Sequence, residues 1–170
     1  MKKILLGLIL VSMQLFSVQL GEIPLAVTLD GKDGGKVDGS AWNSTMLSGK
    51  VHVLFYVDPD EKDVNEAFSE ALKAENFDKA HYATVAVINL AATWKPNIII
   101  EALLKAKQKK FPNALYVKDK KKVLVEKWAL ADDASNIVVF GKDGKTIYLK
   151  NGKLDQSEIS KVIQLIKDNL

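Results

Sequence analysis

Two short acidic segments are where this chain could do chemistry. Asp58-Pro59-Asp60-Glu61 follows an apolar run, and Asp132-Asp133-Ala134-Ser135-Asn136 precedes another. Carboxylates so placed can act as general bases, as ligands of a hard cation, or as acceptors at the start of a helix. One reading takes Asp132 or Asp133 as a base with Ser135 or Asn136 orienting a substrate. Another takes Asp58, Asp60, Glu61, Asp132, Asp133, Ser135 and Asn136 together as a binding surface. Asp58, Asp60 and Asp63 could share a cation with Asp132 and Asp133, but hard cations want six or more oxygens and the order is not that of a calcium loop. No metal and no other cofactor is expected. The residues also lack the spacing of a hydrolytic triad or a zinc motif. The chain contains no cysteine, which excludes thiol–disulfide chemistry. His52 stands inside a strand-like run and reads as a packed ring, far in sequence from His81. Trp42 and Trp94 read as loop aromatics that seal a core or line a groove.

The elements that must hold these residues follow from hydrophobic periodicity. Val51–Val57 is a near-continuous β-type run, as expected of a central strand covered on both faces. Val64, Ala67, Phe68, Ala71 and Leu72 form one helical stripe, with capping-box spacing at Asp63 and Glu66 and again at Asp58 and Glu61, the latter with Pro59 at a first helical position. Tyr82–Asn89 reads as a second buried strand. Ile99, Ala102, Leu103 and Ala106 read as the inner stripe of a second helix, with lysines crowding its C-terminal end and Phe111-Pro112 stopping it. Ala114–Val117 is a short strand. Val123–Leu130 leans to a short helix on the pair Leu124 and Trp128, although its valines also suit a strand. Ile137–Phe140 and Thr146–Leu149 flank an Asp143-Gly144 turn and predict a hairpin. Asp155 and Glu158 form a further capping box ahead of a last helix with Ile159, Val162, Ile163 and Ile166 inward. Near the start, Ile23–Leu29 is a strand candidate and Asp30–Ser40 a polar loop.

The order is a βαβ half followed by ββα, an α/β arrangement with a mixed central sheet, flanking helices and a late hairpin. It is the thioredoxin-like sandwich. In that fold the reactive cysteines follow the first core strand, at a helix start where free N–H groups stabilise a thiolate. Here Asp58-Pro59-Asp60-Glu61 occupies that place, and N-capping is the plainest role for its carboxylates. The cis-proline that faces such cysteines is replaced by Ser135-Asn136. Both halves of a redox site are therefore missing.

Trp42, Leu47-Ser48-Gly49-Lys50, Val51–Leu54, Lys127–Leu130, Asp132–Val139 and Lys142-Asp143-Gly144-Lys145 resemble the YtfJ-type family. The resemblance runs from about Glu22 to the C-terminus and is most specific from Trp128 to Val139. It implies a small periplasmic bacterial protein with a thioredoxin-like fold, and it supplies no catalytic residues. The segment Asp58–Lys62 departs from the family by being more acidic.

The remaining expectations concern location and partners. Lys2-Lys3 followed by apolar Ile4–Val11 has the form of a secretory leader, read as residues 1–19 with cleavage between 19 and 21 and one domain over 20–170. The apolar run falls short of the ~20 residues of a membrane span. Removing the two leader lysines from the net charge of +3 leaves +1 on the domain, so no nucleic-acid partner is expected, and no membrane unless the leader is retained. All basic residues are lysine, so no arginine fork is available for phosphate or carboxylate. The leading reading is an exported, thiol-independent binding or accessory module whose partner is a periplasmic protein or peptide. The alternatives are a non-thiol enzyme using the sheet-end carboxylates, and a structural partner of an envelope protein, which would present a contiguous exposed apolar patch.

Overall fold

The computed structural model describes residues 17–170, so residues 1–16 of the expected leader lie outside the described residues. Along the chain come β1 (Thr28–Leu29), β2 (Gly34–Lys36), β3 (Trp42–Asn43), a 3-10 turn (Ser44–Leu47) and β4 (Val51–Val57). A second 3-10 turn (Pro59–Glu61) is followed by α1 (Glu66–Glu75), β5 (Tyr82–Asn89), α2 (Asn97–Lys110) and β6 (Ala114–Asp119). The chain ends with α3 (Val123–Trp128), β7 (Ser135–Phe140), β8 (Thr146–Asn151) and α4 (Gln156–Asn169). Six strands form one sheet in the order β2-β6-β5-β4-β7-β8, and β1 pairs only with β3. The strands β4, β5 and β6 are parallel, while β2, β7 and β8 run antiparallel to their neighbours. Among the described residues no helix is long and apolar enough to cross a membrane.

The period-two alternation of β4 divides the core. Val51 and Val53 pack with Phe68 and Leu72 of α1 and with Ile159, Val162, Ile163 and Ile166 of α4. Leu54 and Tyr56 face the other side, under Trp42, Leu124 and Trp128. Ile88 and Tyr116 lie on the α1 side of the sheet and receive Ile100 and Leu104 of α2. Val18, inside the expected leader, is buried in the Trp128 layer, and its N–H donates to the Trp128 carbonyl at 3.0 Å.

Four local expectations are corrected. The N-terminal strand is confined to Thr28–Leu29, because residues before it bond singly to other partners: Val27 N–H donates to Ser44 Oγ at 2.8 Å, and the Leu25 carbonyl accepts from Trp128 Nε1 at 2.7 Å. The Asp30–Ser40 segment holds the edge strand β2, which carries no β-type residues. Its glycines take backbone positions closed to other residues: a Cβ on Gly34 (φ 138°) would stand 1.9 Å from the Lys118 carbonyl oxygen. The Asp63–Glu66 capping box does not form. Asn65 stands before α1, but its side chain is committed to Ser135 Oγ, the Gly152 carbonyl and the Leu154 N–H at 2.9–3.0 Å. The Asp155–Glu158 box does form, in both directions.

The fourth correction concerns α2. Its buried residues are Ile100 and Leu104, while Ile99 and Leu103 of the expected inner stripe are exposed. The apolar run Ile98-Ile99-Ile100 and the pair Leu103-Leu104 make both faces plausible by pattern alone. Polar contacts set the rotation. Glu101 pairs with Lys118 of β6 and with Lys120 just beyond its end, at 3.7 and 3.1 Å. The Gln108 amide donates to the Ala114 carbonyl at 2.8 Å and accepts from Tyr116 N–H at 3.0 Å.

Gly34→Ala should detach β2 from β6. We expect a loss of about 2 kcal/mol in urea unfolding, with faster amide exchange at Val37 and Lys120, since backbone rather than a mobile side chain blocks the added methyl.

Candidate functional site

The carboxyl ends of β4, β5 and β6 converge with the loop that enters β7, which is where an open parallel sheet most often presents its ligands. The Asp58 N–H donates to the Ala134 carbonyl at 2.9 Å and ties the end of β4 to that loop. The loop has no proline, all described peptide bonds are trans, and Asp133 sits in the left-handed region (φ 47°).

The expected site residues divide into framework and surface. Ser135 and Asn136 are enclosed. Asn136 Nδ2 donates to the Tyr56 carbonyl at 3.2 Å and the Ala131 carbonyl at 2.9 Å, while its Oδ1 accepts from Ala131 N–H at 3.0 Å. Ser135 Oγ accepts from Asn65. Neither is free to orient a substrate. Asp58 is also buried and caps the 3-10 turn by accepting from Asp60 N–H at 2.8 Å. Burial pushes its carboxyl up, an effect that the Asp60 N–H opposes and the neighbouring carboxylates of Asp60, Asp133 and Asp132 reinforce.

The other acids lie nearer solvent, and two of them are paired. Asp60 forms an ion pair with Lys95 and accepts from Thr93 Oγ1 at 2.7 Å; those two bonds hold its carboxyl below the usual range. Asp132 pairs with Lys122 and accepts from Asn89 Nδ2 at 2.9 Å. Partial burial works to raise Asp132, but the Lys122 ammonium and the local hydrogen bonds outweigh it and leave the carboxyl lowered. A carboxylate held low by an ammonium is a poor proton acceptor at neutral pH. Asp133 is exposed and Glu61 half-buried. Among the described residues no three acidic or histidine side chains form a group able to hold a metal ion, so the cation shared by Asp58, Asp60, Asp63, Asp132 and Asp133 has no ligand set.

Three residues at this end were not singled out in sequence. Asp119 closes β6 and is fully buried. It accepts from the Tyr56 hydroxyl at 3.2 Å and from the N–H groups of Lys121, Val123 and Leu124 at 3.0–3.1 Å, which caps α3 in place of the helix's own first residues. Burial, and then the Asp119 carboxylate, push the Tyr56 phenol far above its ordinary range, so it stays protonated and donates. Thr93 and Lys95 anchor the loop between β5 and α2 onto Asp60. Between them Trp94 is 87% exposed, and the helix that follows adds Ile98 at 78%, Ile99 at 54% and Leu103 at 60%. The triple-isoleucine run Ile98–Ile100 is the signal visible in the sequence, and of its members the expected inner stripe includes only Ile99.

A family model described as "Bacterial protein of unknown function (YtfJ_HI0045)" matches residues 21–169. The uncharacterized protein YtfJ of Escherichia coli (strain K12) is 27% identical over 150 residues, covering 85% of this chain and 82% of that one. An uncharacterized protein of Haemophilus influenzae is 31% identical over 144 residues, covering 82% of this chain and 76% of that one. Among solved structures, a putative protein disulfide isomerase from Bacteroides thetaiotaomicron superposes with a TM-score of 0.66 at 21% identity, over 90% of this chain and 91% of that one. A putative thiol:disulfide interchange protein DsbE from Chlorobium tepidum gives 0.64 at 17% identity, over 90% and 99%. The fold is thioredoxin-like.

Two substitutions test the framework roles. Asn136→Ala should cost about 3 kcal/mol in urea unfolding, because it orphans two carbonyls and an N–H at once. Asp58→Asn keeps an acceptor for the Asp60 N–H but removes the buried charge. It should be neutral to slightly stabilising at pH 7. Because the folded-state carboxyl of Asp58 is raised, that advantage exists above its folded pKa and vanishes as pH falls through it; unfolding curves at pH 7 and about pH 3 give the comparison.

Proposed function

This chain belongs to the YtfJ_HI0045 family of bacterial proteins, and on that footing we propose that it is an exported binding or accessory module that works without thiols and docks a partner protein or peptide in the periplasm. The observation that carries the reading is the apolar surface of Trp94, Ile98, Ile99 and Leu103, exposed on one loop and the helix after it. Large apolar side chains exposed on neighbouring turns are costly to leave in water and mark interaction sites, for an accessory module as for a structural partner of an envelope protein. Trp94 has the residue type that dominates binding energy at interfaces.

The surroundings narrow the partner. Lys105, Lys107, Lys109 and Lys110 are exposed at the other end of α2, and Glu101 is turned toward β6. A partner with an apolar stretch and acidic flanks would complement both halves of this face. The Asp60–Lys95 and Asp60–Thr93 bonds hold the Trp94 loop in place, which reduces the ordering cost of docking. Export is supported by the charged and apolar pattern of Lys2–Val11. The base role of Asp132 or Asp133 has no such support, since Asp132 is paired with Lys122 and Ser135 and Asn136 are enclosed.

The test compares wild type, Trp94→Ser/Ile98→Ser/Leu103→Ser and Asp58→Ala/Asp60→Ala/Asp133→Ala as baits on envelope extract, followed by affinity measurement with the purified captured partner. We expect at least about tenfold weaker binding for the first variant, and weakening by salt through the lysines. Equal affinity for wild type and the serine variant overturns the surface assignment.

A further inference from the structure

A cavity of about 370 Å³ lies at the opposite end of the sheet, beside the amino ends of β4, β5 and β6. From His52 near the start of β4 to Asp58 beyond its end is roughly 20 Å of extended chain. The cavity is therefore remote from the acidic segments; on α2 its lining residue Gln108 lies beyond Leu103, toward the C-terminal end of the helix. Its floor is His52, Ala83 and Leu115, on the face of the sheet that α3 covers farther along; its walls are Val37, Trp42 and Met46.

The sequence explains why this corner is open. Ala83 pairs directly with His52, so a methyl group stands where a larger β-type side chain would fill the space. The volume falls within the range of small-molecule pockets, roughly 300–1,000 Å³, near its lower end.

Most polar groups around the cavity are already engaged. Asp38 accepts from the N–H and the hydroxyl of Ser40 at 2.9 and 2.7 Å. Both ends of the Gln108 amide are bonded to β6, and the Thr84 hydroxyl pairs with that of Tyr82 at 2.9 Å. Two side chains are different. His52 is 7% exposed, and its Nδ1 lies 3.0 Å from the Lys50 carbonyl. A carbonyl can only accept, so Nδ1 carries the proton and Nε2 offers a lone pair, with no partner among the described residues. Burial lowers the imidazole pKa and keeps the ring neutral. Trp42 is fully buried, and its Nε1–H has no acceptor among the described residues.

We propose that this cavity is a second binding site, separate from the partner surface, for a compact neutral molecule that is largely apolar and carries a hydroxyl group. The apolar walls receive its body. A hydroxyl donates to the imidazole Nε2, which has no partner among the described residues. Lys36 and Asp38 at the cavity oppose one another in charge, which gives an anion or a cation no net advantage.

The probe is 2-naphthol, titrated into the ¹⁵N-labelled chain, with naphthalene and 2-naphthoate as controls. The site predicts saturable shifts at amides of residues 36–38, 52, 83–85 and 113–115, and a shift of the His52 Nε2 resonance on accepting a hydrogen bond. Both controls should bind at least about tenfold more weakly. His52→Phe keeps a ring of similar shape and should bring naphthol and naphthalene to parity. Met46→Trp, at a 47% exposed wall position that a larger side chain can occupy without disturbing the core, should block all binding. Absence of saturable shifts at these amides, parity of naphthol and naphthalene in the wild type, or undiminished binding in Met46→Trp would each overturn the proposal.

Discussion

The carboxylate of Asp119 joins more of this fold than any other single group at the carboxyl end of the sheet. It is buried and has no ion-pair partner among the described residues, so its lone pairs must be answered by hydrogen-bond donors. The Tyr56 hydroxyl supplies one from the central strand, and the N–H groups of Lys121, Val123 and Leu124 supply the rest from the start of α3. The backbone of the same residue accepts from Leu90 N–H at 2.8 Å, and Gly34 of the edge strand pairs beside it. One residue thus sets the end of β6, the departure of the chain after β5, the start of the helix that carries Leu124 and Trp128, and the seat of β2. That helix closes the core over Leu54, Tyr56 and Phe140, with Trp128 and Phe140 in tilted contact at 6.0 Å.

Seen from this anchor, the missing thiol site has been rebuilt as framework. Asp58 stands where thioredoxin-like enzymes place a nucleophile, and it caps a turn. Asn136 stands just past the position of their cis-proline, and it bonds the Tyr56 and Ala131 backbones. Ion pairing absorbs the charge of Asp60 and Asp132. The loop beside this end of the sheet holds a tryptophan out in water. Binding energy can be had from that surface without any reacting group.

The two ends of the sheet also differ in kind. The Trp94 surface is exposed, tethered through Asp60 and flanked by lysines, which suits a macromolecular partner. The Trp42–His52 corner is a cavity with an imidazole nitrogen that has no partner among the described residues, which suits a small one. They share the strands β4, β5 and β6 and no lining residue.

The sequence by itself determined the layers, the order of the central elements, the late hairpin, the last helix with its capping box and the impossibility of thiol chemistry. Each rests on local periodicity, turn chemistry or the absence of a residue type, and none needs a distant partner. Only the tertiary structure decided which face of α2 is buried, because Ile98–Ile100 and Leu103-Leu104 offer two apolar faces and the choice fell to Glu101 and Gln108 meeting β6. It alone revealed β2, which two glycines form by close approach rather than by propensity, and it alone turned Asn65 from a helix cap into a bridge to Ser135, Gly152 and Leu154. The acidic segments were visible as residues, but their roles were not. Whether a carboxylate caps, pairs or reacts depends on the groups that folding brings to it from 30 or more positions away, as it brings Lys95 to Asp60 and Tyr56 to Asp119.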